Sequence, residues 1–312
     1  MAKSPIPSVF VIGPLLLEHH IRVEGTPRPG SRVAAEGYDQ WYAGRGGGHS
    51  IAVTRAGCDA VLVSALGEDF HGLEYREFLE SEGIKTRHIL HIKGRTGTTF
   101  LMKNAQGADS TIEWAGPLQD LAPADIRGAS AALNRSKAFL GDLAVPSDVL
   151  EEAVRRANEA GVPVIIRASP ILTEFAWGEL RTDYLIVSMT ELLLMFGQTP
   201  ESLPAEELKN RLAELRWEHL IVTRGSSDTL IFGREGGFWS IPTLPVLPID
   251  QTGAGDAFAG CFAAAIAKGL ELPDAVKAAN CAGALTTLGL GAHCAIPDWE
   301  AVELHLRHLE QE

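Results

Sequence analysis

Seven residues in the last quarter of the chain, Asp250-Gln251-Thr252-Gly253-Ala254-Gly255-Asp256, combine small side chains with a closing carboxylate. Two glycines and an alanine let backbone N–H groups crowd around an incoming anion. The apolar run from Phe258 to Ile266 reads as a buried helix. The loop therefore lies at a helix N-terminus, where unpaired N–H groups and the positive dipole end favour phosphate. An aspartate would repel a phosphate that was merely bound there. Asp256 makes sense if its carboxylate takes a proton from a hydroxyl while the N–H groups stabilise a phosphoryl group in transfer. The alternative is an aspartate N-cap on a tight turn. No G-x-x-x-x-G-K-[ST] segment occurs and no G-x-G-x-x-G follows a strand, so P-loop and Rossmann readings lose their main support.

Positioning such a loop needs a framework, and short apolar runs supply candidate strands at Val9–Ile12, Val61–Ala65, Lys137–Leu140, Val164–Ile166, Tyr184–Val187, His219–Thr223 and Leu230–Phe232. Helical patterns separate several of them: Phe70–Glu82, Asp148–Ala160 and Ala205–Arg216. This alternation predicts an α/β fold with a mainly parallel sheet covered on both faces. From Asp256 onward the pattern is nearly all helix, over 256–268, about 272–288 and 297–309. Residues 14–46 and 88–116 have another texture, short alternating segments rich in Gly, Thr and Arg. They read as antiparallel hairpins that form a small sheet over one edge of the core. Such a lid would exclude water from phosphoryl transfer; ordinary surface hairpins are the alternative.

The chain has 312 residues, of which 46% are hydrophobic and 21% charged, which suits one large or two small soluble domains. A net charge of −13 with dispersed Lys and Arg argues against nucleic acid or an anionic membrane as partner. No apolar run approaches the roughly 20 residues that cross a bilayer. The opening Met1-Ala2-Lys3-Ser4-Pro5 lacks a secretory apolar region. Cys58, Cys261, Cys281 and Cys294 have no metal-binding spacing. Free thiols in a reducing cytoplasm are the expectation.

The sequence resembles the ribokinase (PfkB-type) family of carbohydrate kinases over almost its whole length. Its signature D-x-T-G-A-G-D-x-F is met by Asp250, Thr252, Gly253, Ala254, Gly255, Asp256 and Phe258. Thr26-Pro27-Arg28-Pro29-Gly30, Gly44-Arg45-Gly46-Gly47-Gly48-His49, Gly67-Glu68-Asp69-Phe70-His71-Gly72 and Thr223-Arg224-Gly225-Ser226 resemble further family motifs in the same order. The resemblance implies a three-layer α/β/α core plus a small β-sheet lid, as one kinase domain over 1–312. It implies Asp256 as general base and Gly253, Ala254 and Gly255 as the anion hole. ATP would be lined by Thr223, Gly225 and Ser226, with Ser188 and Asn280. Glu191 would organise Mg²⁺ through water, which suits an ion that keeps much of its hydration; a solvated carboxylate at a helix start is the other reading.

On the acceptor side the resemblance points to Glu18, Gly44, Arg45, Gly48 and His49. Here the sequence departs from the family: Gly48 replaces a sugar-binding asparagine, Glu18 an aspartate, Ala144 a glutamate and Ser188 the Asn of N-x-x-E. A pocket discriminates strongly only where it hydrogen-bonds a hydroxyl, so the sugar is less determined than the reaction. Arg45, His49 or Asp142 could replace the lost contacts, and His49 reads equally as a packing histidine. Asp250, with the loop 289–295, offers a weak K⁺ site, although Ala295 lacks the family's side-chain oxygen. The expected function is ATP-dependent phosphorylation of a small sugar, ribose first. A ketohexose, modified pentose or nucleoside is the alternative acceptor, and a non-catalytic sugar- or nucleotide-binding homologue is the alternative class. A homodimer through the lid, with Trp41, Tyr42 and Trp114 on its apolar face, is also expected.

Overall fold

The computed structural model describes residues 5–104, 109–169, 175–198 and 205–309. Nine strands form the larger sheet: β1 (Ser8–Ile12), β4 (Asp59–Gly67), β5 (Lys85–Ile92), β8 (Ala138–Asp142), β9 (Val164–Arg167), β10 (Thr182–Ser188), β11 (Trp217–Arg224), β12 (Ser227–Gly233) and β13 (Phe238–Ile241). Their order is β13-β12-β11-β10-β9-β8-β1-β4-β5. All pairings from β11 to β5 are parallel, and β12 and β13 add antiparallel strands at one edge.

Strand β1 shows why three layers form. Val9 and Val11 enter one apolar layer, Phe10 and Ile12 the other, and none of the four is exposed. Successive side chains of a strand point to opposite faces, so a strand apolar at every position needs helices on both. One layer packs α1 (Arg45–Arg55), α2 (Phe70–Ser81), α7 (Ala254–Ala267) and α8 (Leu272–Thr286) against the sheet. The other packs α3 (Pro123–Leu133), α4 (Ser147–Ala160), α5 (Met189–Phe196) and α6 (Ala205–Glu214). A last helix, α9 (Trp299–Leu309), meets α7 and α8 through Cys261, Cys281 and Val302.

The smaller sheet has the order β3-β2-β6-β7, from β2 (Leu16–Val23), β3 (Ala35–Ala43), β6 (Thr98–Asn104) and β7 (Asp109–Trp114). It differs from the expected pair of hairpins in two ways. Its central pairing, β2 with β6, is parallel, because the main-sheet strands and helices between them return the chain in the same direction. Residues 88–92 belong to β5 of the main sheet rather than to the smaller one. The antiparallel edge strand β13 was not legible as a strand, since only Ile241 of its four residues is buried. Helix α1 carries Gly46, Gly47 and Gly48 in its first turn. Glycine costs roughly 1 kcal/mol per helix position, so packing rather than propensity holds that turn.

Candidate active site

The carboxyl ends of the parallel strands meet the smaller sheet and the start of α7, the place where open α/β sheets present ligands. Asp142 ends β8, Arg167 ends β9, Ser188 ends β10 and Thr223 lies one residue before the end of β11. Gly253 caps α7 with φ +83°, and a Cβ there would stand 2.5 Å from the Ala292 carbonyl oxygen. Only glycine allows this turn. Asp250 holds the loop by accepting from the Thr252 N–H at 3.1 Å and the Thr252 hydroxyl at 2.7 Å.

Asp256 follows in the first turn of α7, largely buried. Desolvation raises its pKa to about 6; Arg45 and Arg167 oppose the rise, while Asp142 and Glu18 add to it. The structure thus brings the expected base and anion loop together.

His49 Nε2 lies 3.5 Å from Asp256 Oδ1, and the ring is fully buried. Neither ring nitrogen has a hydrogen-bond partner. Burial pushes its pKa well below the usual histidine value, with Arg45 and Arg167 adding to this, so the ring is neutral. His49, expected on the acceptor side or as a packing histidine, is enclosed where α1 packs against α7. Gly48 is likewise turned to Asp256, for a Cβ on it would come 2.8 Å from Oδ2. Its lack of a side chain makes room for the carboxylate, which explains the missing asparagine.

Arg45, Asp142 and Glu18 are charged groups whose fields reach Asp256. Arg45 donates to both oxygens of the fully buried Asp142, from Nε at 2.5 Å and Nη2 at 3.2 Å. Burial alone would favour loss of the Arg45 proton, but Asp142 keeps the guanidinium charged. The Ala144 N–H also donates to Asp142, at 2.8 Å. Glu18 is bonded to His20 Nε2 at 2.5 Å. Gly44 caps α1 just before Arg45. The buried Asp142 carboxylate thereby orients Arg45.

On the other side of the anion loop lies a cavity of about 710 Å³, lined by Thr223, Gly225, Ser226, Ala254, Gly255 and Asn280 among others. The Asn280 amide is engaged within the wall: it accepts from the Thr229 hydroxyl at 2.7 Å and donates to the Ile241 and Pro242 carbonyls. Asn280 therefore shapes this cavity instead of offering its amide to a ligand.

Ser188 and Glu191 form a capping box at the start of α5. The Ser188 N–H donates to Glu191 Oε2 at 2.6 Å, and the Glu191 N–H donates to Ser188 Oγ at 3.2 Å. Arg167 Nη1 donates to the same Oε2 at 2.5 Å. Burial would raise the Glu191 pKa, but Arg167 and these bonds bring it below the usual carboxylate range. Among the described residues no group of three or more His, Cys, Asp or Glu side chains could hold a metal ion. A guanidinium is already seated on the carboxylate expected to organise Mg²⁺ through water. Sequence reasoning missed Arg167. Its signal was a charged residue closing the apolar strand Val164-Ile165-Ile166.

Comparison with known proteins agrees with this geometry. The family model described as "pfkB family carbohydrate kinase" matches residues 7–299. A ribokinase of Bacillus subtilis is 24% identical over 298 residues, covering 95% of this chain and 98% of its own. The crystal structure of a ribokinase from Thermotoga maritima superposes with a TM-score of 0.84 at 25% identity, covering 97% of this chain and 100% of that one. A structure of Arabidopsis thaliana ribokinase complexed with ribose and ATP superposes with a TM-score of 0.85 at 23% identity, covering 97% of this chain and 99% of that one.

Proposed function

The chain belongs to the pfkB family of carbohydrate kinases, and we propose that it transfers the γ-phosphoryl group of ATP to a primary hydroxyl of ribose. One observation carries the reading: the carboxylate of Asp256 stands in the first turn of α7, directly after the loop that closes the inner end of the cavity, with its pKa raised to about 6. A base of that strength is largely ionised at neutral pH and still able to accept a proton.

The nucleotide occupies the cavity, with Thr223, Gly225 and Ser226 beside its phosphates and Gly253, Ala254 and Gly255 offering N–H groups to the γ-phosphoryl oxygens. The sugar lies between Asp256 and the smaller sheet, held by Arg45, Asp142 and Glu18. Asp256 takes the hydroxyl proton as the oxygen attacks phosphorus in line with the departing ADP. Phosphoryl transfer of this kind depends on positioning and charge stabilisation more than on covalent chemistry. Mg²⁺ enters as the counter-ion of ATP. Asp250 is already engaged by Thr252 and the Gly291 N–H, which supports only a weak dependence on K⁺. The whole chain acts as one kinase domain in the cytoplasm, and the smaller sheet serves as its lid.

The test is ADP release from Mg-ATP across pentoses, ketohexoses and nucleosides, in K⁺ and in Na⁺ buffers, with Asp256→Asn as the blank. Turnover on ribose should fall at least about 10²-fold in the mutant with the KM for ATP nearly unchanged. Preference for a ketohexose or nucleoside would move the acceptor while keeping the reaction. Equal turnover in the mutant would remove Asp256 as the base, and a large K⁺ activation would overturn the reading of Asp250.

A further inference from the structure

Arg167 is the charged group nearest the anion loop that the mechanism above leaves unused. Its side chain is only 12% exposed. Nη1 is fixed by Glu191 Oε2 at 2.5 Å and by the Ile186 carbonyl at 3.4 Å. Nη2 lies 3.8 Å from the point where a Cβ would stand on Gly255, and among the described residues, chain neighbours and its own helix backbone aside, no other atom comes within 4 Å of that point. Gly255 is both part of the anion loop and part of the cavity wall. The guanidinium therefore reaches from the carboxyl edge of the sheet toward the space where the cavity meets the base.

We infer that Arg167, clamped by Glu191, is the protein's own cation for the γ-phosphoryl group, in the place where a metal held by Glu191 was expected. This deepens the kinase reading and rests on it. Three features of the geometry support it. A guanidinium is planar and always charged, and its remaining N–H groups can pair with phosphate oxygens at fixed angles. Glu191 holds one edge of it, so little rotamer freedom remains to be lost when phosphate arrives. The capping box through Ser188 holds Glu191 in turn, so strand β9, helix α5 and the anion loop converge on one charge. The influence of Arg167 on Asp256 and His49 is consistent with this position. A purely structural role, joining β9 to α5, would need Nη1 only.

The experiment compares equilibrium binding of ADP and of β,γ-imido-ATP by calorimetry, with Mg²⁺ and with EDTA, for the intact chain and for Arg167→Ala, Arg167→Lys and Glu191→Gln. Arg167→Ala should weaken the imido analogue at least about 10-fold and ADP less than about 2-fold, with or without Mg²⁺, and should lower kcat by roughly 10² or more. Arg167→Lys keeps the charge without the fork and should fall between. Glu191→Gln should weaken the analogue more mildly, because the arginine stays but loses its clamp. Equal losses for both ligands would assign Arg167 to structure alone and overturn the inference, as would analogue affinity unchanged in Arg167→Ala. If Arg167→Ala does not fold, the Arg167→Lys and Glu191→Gln arms decide by the same ratio of ligands. Failure of the kinase reading itself would look different: the unmodified chain would bind nucleotide yet release no ADP with any acceptor.

Discussion

At Asp256 the proton affinity has consequences for both rate and stability. Burial raises its pKa from an ordinary value near 4 to about 6, so kcat/KM should lose its base below about pH 6 and level off above it. A pH–rate profile with ribose reads this directly, and an acid limb near pH 4 would contradict the assigned environment. The stability effect has the opposite sign from the usual paired aspartate. The folded state binds this proton more tightly than the unfolded one, so stability falls as pH rises from about 4 to about 6 and stays reduced above. Asp256→Asn removes the buried charge and should melt higher than the unmodified chain at pH 8, with the gap closing near pH 4. Scanning calorimetry at the two pH values checks it, and a mutant that melts lower at pH 8 would refute it. The gain in stability and the loss of turnover share one cause, a charge placed for chemistry rather than for folding.

Among the elements, α1 and the loop after α8 are joined by Arg55. Its guanidinium donates to the His293, Cys294 and Ile296 carbonyls at 3.2, 3.3 and 2.6 Å and pairs with Glu82 at 2.9 Å. The same loop supplies Ala292, whose carbonyl packs against Gly253, and His293, which is buried with its pKa lowered to about 4 by desolvation. Arg55 thereby supports the anion loop from behind. Arg55→Met keeps the stem and removes these bonds, leaving three carbonyls without that donor; it should cost about 2–4 kcal/mol. Urea melts measure the loss. Because the loop backs Gly253, kcat should drop along with stability, whereas a variant that is stable as before would show that water replaces the guanidinium.

For the molecule as a whole, the smaller sheet presents one face to the base and another to solvent. Trp41 is partly exposed, with its ring 3.5 Å from where a Cβ would stand on Gly291, and Tyr42 stacks on Tyr75 and Phe78 at 4.6 and 5.1 Å. Of the three aromatic residues expected on the apolar face, Tyr42 and Trp114 share it in register and Trp41 lies on the opposite face. The exposed part of that face carries Trp114 together with Tyr38, Phe100 and Ile112, with His19 stacked between Tyr38 and Phe100. Large apolar groups clustered on one sheet face suit burial against a second copy. Light scattering should find a dimer, and Phe100→Glu with Ile112→Lys should give monomers. Equal masses for the two forms would reject this face as the contact.

How far the sequence reaches follows from the range of the forces involved. Strands β1, β4, β8, β9, β10, β11 and β12, and helices α2, α4, α6, α7, α8 and α9, were legible because apolar periodicity is a local record of which face is buried. The anion loop and Asp256 were legible too, since small residues before a helix and an acid in its first turn act through backbone within a few positions. Tertiary structure alone decided the rest. Gly46, Gly47 and Gly48 stand in the first turn of α1 because Gly13, Tyr75, His293 and Asp256 leave no room there for a Cβ, and the full burial of His49 is not foretold by its neighbours in sequence. The pairing of Arg167 with Glu191 spans 24 residues, and that of Arg45 with Asp142 spans 97. Charges so distant in sequence meet only when parallel strands bring their carboxyl ends to one edge, and local sequence carries no record of that meeting.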